Sequence, residues 1–449
     1  MLTGIPFHCI HIFKAFCPMN KGYKKVINGW AMYDWANSVY NLVITTTFFP
    51  VYFLAQTHNK ETNSDIVNFF GWQVKNSSLY DYAVAFAFLL VAISTPILSS
   101  IADSRGNKMR FLKFFCYLGG LSCSALFFFK MDAAVEYGVI CFILATIGWC
   151  GGLVFYNSYL PEIAPVEDRD RVSARGFSLG YVGSVILQII GFVLVAFEPF
   201  GLKGEWPVLV TFLLVGIWWI GFAQITFRTL PPSAPAEEQQ GSIFRDGFIE
   251  LKKVYAQVRQ LPVLKRYLRA FFFYSMGVQT VMLAATIFGS KLLNLPSTNL
   301  IIVIVVIQVV AILGAWGMAR LSGIFGNFKV LIATVILWII VCIAAYFTYT
   351  ENQFYGLAVL VGLVMGGIQS LSRSTYAKLI PETRDTTSFF SYYDVTEKIG
   401  IVLGMFSFGL IDQMYSMRHS VLILTAYFAV GLLFLFAALL KQSKLAKDK

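Results

Sequence analysis

The apolar residues of this chain fall into twelve long runs separated by short polar breaks. Six lie at roughly 29–55, 79–102, 110–130, 133–157, 173–197 and 205–228, and six more at roughly 267–293, 298–320, 328–349, 353–376, 389–412 and 419–441. Each is about 20 residues or longer, enough for a helix to cross some 30 Å of hydrocarbon. A polar stretch, 229–266, divides the two sets and opens on Pro231-Pro232. Within it, 243–260 places Ile243, Phe244, Phe248, Leu251 and Tyr255 on one side, which predicts an amphipathic helix lying at the membrane surface. The pattern therefore predicts an all-α membrane protein with twelve transmembrane helices in two six-helix bundles, 29–228 and 267–441. Tails 1–28 and 442–449 flank them, and 229–266 forms the central loop.

Composition supports that reading. Hydrophobic residues make up 57% of the 449 and charged residues only 13%, about half the usual share for a soluble domain. The net charge of +11 raises the question of nucleic acid. The basic residues are scattered in short segments between apolar runs and form no stripe, so no nucleic-acid partner is expected. They report topology instead. With the N-terminus inside, 28 of the 35 Lys and Arg fall on that side and six on the other: Lys60, Lys75, Lys130, Lys203, Lys291 and Arg418. Both termini are therefore expected in the cytoplasm. Short loops suit a bacterial inner membrane, although Asn76-Ser77-Ser78 would be a glycosylation acceptor in a eukaryote. Met19 opens a conventional cytoplasmic start, and the first 18 residues read as a tail outside it.

The halves repeat at an offset of 220 residues. Gly106-Asn107-Lys108 meets Gly326-Asn327-Phe328-Lys329, and Leu160-Pro161-Glu162 meets Ile380-Pro381-Glu382, each pair in equivalent loops. Such a register favours a parallel duplication of six helices.

Charge inside an apolar run is costly and usually faces a cavity or a partner. Asp34 lies in the first run, with Asn37 and Asn41 at i+3 and i+7 extending one polar face. It is the candidate for coupling or for a substrate amine, against the plainer reading of a fixed ion pair. Lys398 lies in the eleventh run with Asp394 four residues before it, a spacing at which the two neutralise each other; the lysine is equally placed to bind a substrate carboxylate. Arg373 shares a face with Gln369 near the end of the tenth run, where a guanidinium fork suits an anion and also suits snorkelling to the interface. Gln188, Gln279, Thr280 and Gln308 read as bonds between helices. Small-residue pairs Gly148/Gly152, Gly176/Gly180, Gly362/Gly366 and Gly400/Gly404 permit close helix approach.

No catalytic constellation is expected: the four histidines lie in tails or loops and none pairs with a nucleophile, and the chain has no P-loop. The seven cysteines show no metal-ligand spacing and imply no disulfide framework. No cofactor and no metal site are expected.

Ser99-Ser100-Ile101-Ala102-Asp103-Ser104-Arg105-Gly106-Asn107-Lys108 resembles the loop after the second helix of major facilitator transporters, matching it at Asp103, Gly106 and Lys108. That resemblance implies a latch on the cytoplasmic side, with Arg105 available where the family's first arginine is Ser104. Gly29-Trp30-Ala31-Met32-Tyr33-Asp34-Trp35-Ala36-Asn37-Ser38 is similar to the opening of the vacuole-effluxer-like permeases, the UMF1 family. Tyr159–Pro165, Gln369–Ser374 and Tyr393-Asp394…Lys398 fit the same family. The resemblance implies a major facilitator fold and a secondary transporter, or permease, working by alternating access, with a cavity lined by helices one, four, seven and ten. Fungal members resemble vacuolar amino-acid exporters, so an amino acid or peptide leads as cargo, with a proton or sodium as coupling ion and a monomer as the unit. It also implies that Glu162, Arg169 and Arg171 belong to a gate between the halves. A sugar, organic anion or lipid cargo, and a non-transporting receptor or scaffold with the same fold, remain open alternatives.

Overall fold

The computed structural model describes residues 21–59, 63–130, 133–232, 243–293, 295 and 297–448. The proposed tail before Met19 lies outside them. The first span, α1, runs Lys21–Val39, passes through a π-helical stretch Tyr40–Phe48 and continues as Phe49–Thr57. The hydroxyls of Thr46 and Thr47 both donate to the Leu42 carbonyl there, taking up an acceptor that the wider turn frees. A hairpin follows, β1 (Ile66–Phe69) and β2 (Trp72–Lys75), in the register Ile66↔Lys75 to Phe69↔Trp72. Its turn residues Phe70 and Gly71 both have positive φ, the geometry of a tight hairpin turn.

The remaining long helices are α2 (Asn76–Arg105), α3 (Lys108–Ala125), α4 (Val135–Asn157), α5 (Arg169–Phe197) and α6 (Trp206–Thr229) in the first half. After the surface helix α7 (Ile243–Gln260) come α8 (Pro262–Leu293), α9 (Ser297–Phe325), α10 (Asn327–Tyr346), α11 (Glu351–Leu379), α12 (Thr386–Met414) and α13 (Met417–Lys447). Eleven spans among the described residues are long and apolar enough to cross a membrane. The twelfth, α12, is 29 residues long and misses that mark because Asp394, Glu397, Lys398 and Asp412 interrupt it. Helix α7 forms where the amphipathic pattern predicts it; the side chains of Ile243, Phe244, Phe248 and Leu251 lie outside the described set, and Tyr255 stacks near Tyr392 of α12.

Local chemistry sets the ends. Gly106 closes α2 in the left-handed conformation, its N–H donating to the Ala102 carbonyl, a geometry that costs glycine little. Gly326, 220 residues on, also has positive φ and opens α10. Thr350 and Gln353 form a capping box at the start of α11.

The repeat extends to packing. In the first half α1 packs on α5 and α6, α4 on α2 and α3, and α3 on α6. In the second half α8 packs on α12 and α13, α11 on α9 and α10, and α10 on α13, the same set displaced by one half. Between the halves α5 meets α9, and α12 meets α2, as a two-fold relation requires. Large apolar side chains such as Ile93, Leu121, Leu313 and Leu433 remain exposed on the outer surface, where lipid rather than water suits them. Asn76 is 2% exposed, and its amide donates to the Leu54 carbonyl and accepts from the Ser77 N–H.

Candidate functional site

A cavity of about 150 Å³ lies between the halves. Helices one, four, seven and ten of the twelve spans (α1, α4, α8 and α11) all contribute lining, joined by α2, α5 and α12. Asp34, Asn37 and Asn41 line it from α1, Gln369 and Arg373 from α11, and Glu397 and Lys398 from α12.

Two charge clusters bound it. In the first, Arg373 of the second half reaches Asp34 of the first, Nη2 to Oδ2 at 3.0 Å, both buried. The same Asp34 oxygen accepts from the Tyr156 hydroxyl at 2.8 Å. The guanidinium also donates to the Ser173 hydroxyl and carbonyl and to Asn157 Oδ1. The rings of Phe177, Trp30 and Tyr156 stand 4.2, 4.8 and 5.5 Å from its centre, which suits a weakly hydrated planar cation. Arg373 therefore does not snorkel; it joins the halves from the interior. A Cβ on Gly176 would lie 2.3 Å from Asp34 Oδ2, so a residue without a side chain is what admits the pair.

In the second cluster, Lys398 Nζ lies 3.3 Å from Asp394 Oδ1 and 3.3 Å from Glu397 Oε2. Glu397 accepts from Gln279 of α8 at 2.8 Å. Lys398 also faces Phe88 of α2 and Trp149 of α4 at 5.6 and 5.7 Å, so this charge too reaches the opposite half. Asp394 sits behind the cavity wall. Both amide atoms of Asn37 are buried without a hydrogen-bond partner, an unusual state for a polar group.

Beyond the first cluster a polar latch joins the halves at the end of the molecule where α1 begins and α13 finishes. Asp103 accepts from the N–H groups of Thr387 and Ser388 at 3.2 and 2.6 Å, capping the N-terminus of α12. Lys108 pairs with Glu162 and donates to Thr386 at 2.8 Å. Arg169 donates to the carbonyl of Ala377 at 2.7 Å, one of the otherwise unpaired carbonyls ending α11. Arg105 and Arg171, expected in this gate, lie elsewhere. Arg105 is exposed on the last turn of α2, and Arg171 pairs with Asp168 of its own half while largely exposed. Helical rotation turns the neighbouring Asp170 inward instead, where Lys378, Ser322 and Asn327 surround it at 2.6–2.7 Å. The loop after α2 thus grips the start of α12, and the loop after α9 grips the start of α5. Asp170, lying between the expected Arg169 and Arg171, carried no signal for its direction, and Asn157 and Tyr156 carried no signal at all.

A twelve-helix membrane protein, built from two repeats around a charged central cavity and latched at one end, belongs to the major facilitator class of transporters. Within it the chain belongs to the vacuole effluxer Atg22-like family, which it matches over residues 22–448. It is 31% identical over 389 residues to the uncharacterised MFS-type transporter YxiO of Bacillus subtilis, covering 86% of this chain and 88% of that one. Among solved structures it resembles the human organic anion transporter MFSD10 (TM-score 0.72, 12% identity, covering 92% of this chain and 99% of that one). It also resembles FucP in its outward conformation (TM-score 0.67, 14% identity, covering 93% and 98%). The protein is an integral, multi-pass transporter and not an enzyme.

Proposed function

We propose that the chain moves an amino acid or short peptide across the membrane by alternating access, driven by an ion gradient. The observation that carries this reading is the cavity itself: it lies on the interface between the halves and is lined by fixed charges of both signs, Asp34 from the first half and Arg373, Glu397 and Lys398 from the second. A zwitterion needs one partner of each sign, and Lys398 with Glu397 offers both at the wall. Asp34, the expected amine partner, is matched by Arg373 in this state, so the Asp34–Arg373 pair serves as the floor between cavity and latch. Rocking the halves to open that floor must separate the pair and the latch together. By the charge bias along the sequence the latch is cytoplasmic and both termini are inside; the short loops and the Bacillus relative support a bacterial inner membrane, and the proposed unit is a monomer.

The test is counterflow. Protein reconstituted in vesicles preloaded with single amino acids or dipeptides is offered the same compounds labelled. Accumulation of a labelled amino acid or peptide supports the reading, and accumulation confined to sugars or to organic anions without an amine overturns it.

A further inference from the structure

The charges on α12 do not balance. One ammonium, Lys398, serves two carboxylates, Asp394 and Glu397, each at 3.3 Å. The ionisable groups facing them from neighbouring helices are neutral at ordinary pH: Cys150 of α4 and Tyr274 of α8, with Tyr393 of α12 itself. From α2 the neighbour is the Phe88 ring. Arg373 of α11 is matched by Asp34. The cluster as drawn therefore carries one negative charge in excess within a buried interface, where an uncompensated charge is expensive.

A second observation says where that excess resides. Asp394 is 5% exposed, and its Oδ2 is buried without any hydrogen-bond partner. An ionised carboxylate oxygen in that position has lost its water and gained no donor. Glu397 differs: one oxygen accepts from Gln279, the other from Lys398, and the side chain lines the cavity. Resting on the ion-coupled reading above, we propose that Asp394, Glu397 and Lys398 form a binding site for one proton, which enters from the cavity at Glu397 and resides on Asp394 Oδ2. Binding takes the cluster from one negative charge to neutral. Sodium is the less suitable occupant, because the ammonium already fills the place between the carboxylates where an oxygen-coordinated cation would sit.

The proton also acts on the joint between the halves. Neutralising Asp394 loosens its hold on Lys398, whose ammonium faces Phe88 and Trp149 across the interface. The coupling role expected of Asp34 thereby moves to α12, since Asp34 already has a cation of its own.

The test uses the proton alone, without cargo. Infrared difference spectra of the monodisperse full-length protein, taken between acidic and alkaline buffer, report the C=O stretch of a protonated carboxyl in an apolar site. The native protein should show such a band, and Asp394→Asn should lose it. Glu397→Gln, which leaves the Asp394–Lys398 pair in place and removes the excess charge, should lose it as well and decides the matter if Asp394→Asn does not fold. A band of native size surviving in Glu397→Gln overturns the proposal, as does a native protein with no titrating band. Because no solute is involved, failure here leaves the cargo reading standing, and a failed cargo panel leaves this site standing.

Discussion

At the residue scale the Asp34–Arg373 pair organises the floor of the cavity, and its surroundings determine what substitution does. Both side chains are at least 95% buried, so removing one partner strands the other charge at a cost of about 3–5 kcal/mol. Asp34→Asn should therefore lower the thermal unfolding temperature of the purified protein markedly, and Asp34→Asn combined with Arg373→Gln should lower it by less than the single change. A double variant that is additive would show that the two residues do not act as a pair. Gly176→Ala should injure the same contact from a third position, since the new Cβ would meet Asp34 Oδ2 at 2.3 Å and Arg373 Nη2 at 2.9 Å. Gly409→Ala, with nothing within 4 Å of its added Cβ, should leave stability and transport close to native. Equal behaviour of the two alanine variants would contradict the packing described.

At the element scale the molecule is held closed by two loops gripping two helix starts. Asp103 caps α12 through two backbone N–H groups, an interaction worth about 0.5–2 kcal/mol, and one that exists only while the halves are together at this end. Asp103→Ala should therefore favour the state opened there. Spin labels at Arg110 and Arg384, exposed positions on opposite halves, should show a longer distance gaining population in that variant. An unchanged distance distribution would remove Asp103 from the latch. Much of this scale was legible beforehand, because apolar run length, the 220-residue register and the glycine turns are local signals. The Asp394–Lys398 contact was legible for the same reason, being four residues apart on one helix. The Asp34–Arg373 pair was not: depth in a run tells that a charge needs a partner, and it does not tell that the partner lies 339 positions further on. The hairpin at Ile66–Lys75 escaped because Phe70, a residue that rarely takes positive φ, occupies its turn. The π-helical stretch escaped because the Thr46 and Thr47 hydroxyls that serve it are equally at home in an α-helix.

At the scale of the whole molecule the central claim is that the halves move as bodies about the cavity, so a bond across the latch must stop transport without touching the site. Ser100 of α2 and Ser388 of α12 face each other with hydroxyl oxygens 3.4 Å apart, a separation at which a cysteine pair can meet the geometry of a disulfide. The five described native cysteines are buried and belong to neither position. The most direct measurement is counterflow through vesicles holding the Ser100→Cys, Ser388→Cys variant, before and after oxidation, with whichever solute the native protein exchanges. Alternating access predicts that exchange ceases once the crosslink forms and returns on reduction; exchange continuing at the native rate through fully crosslinked protein would contradict it.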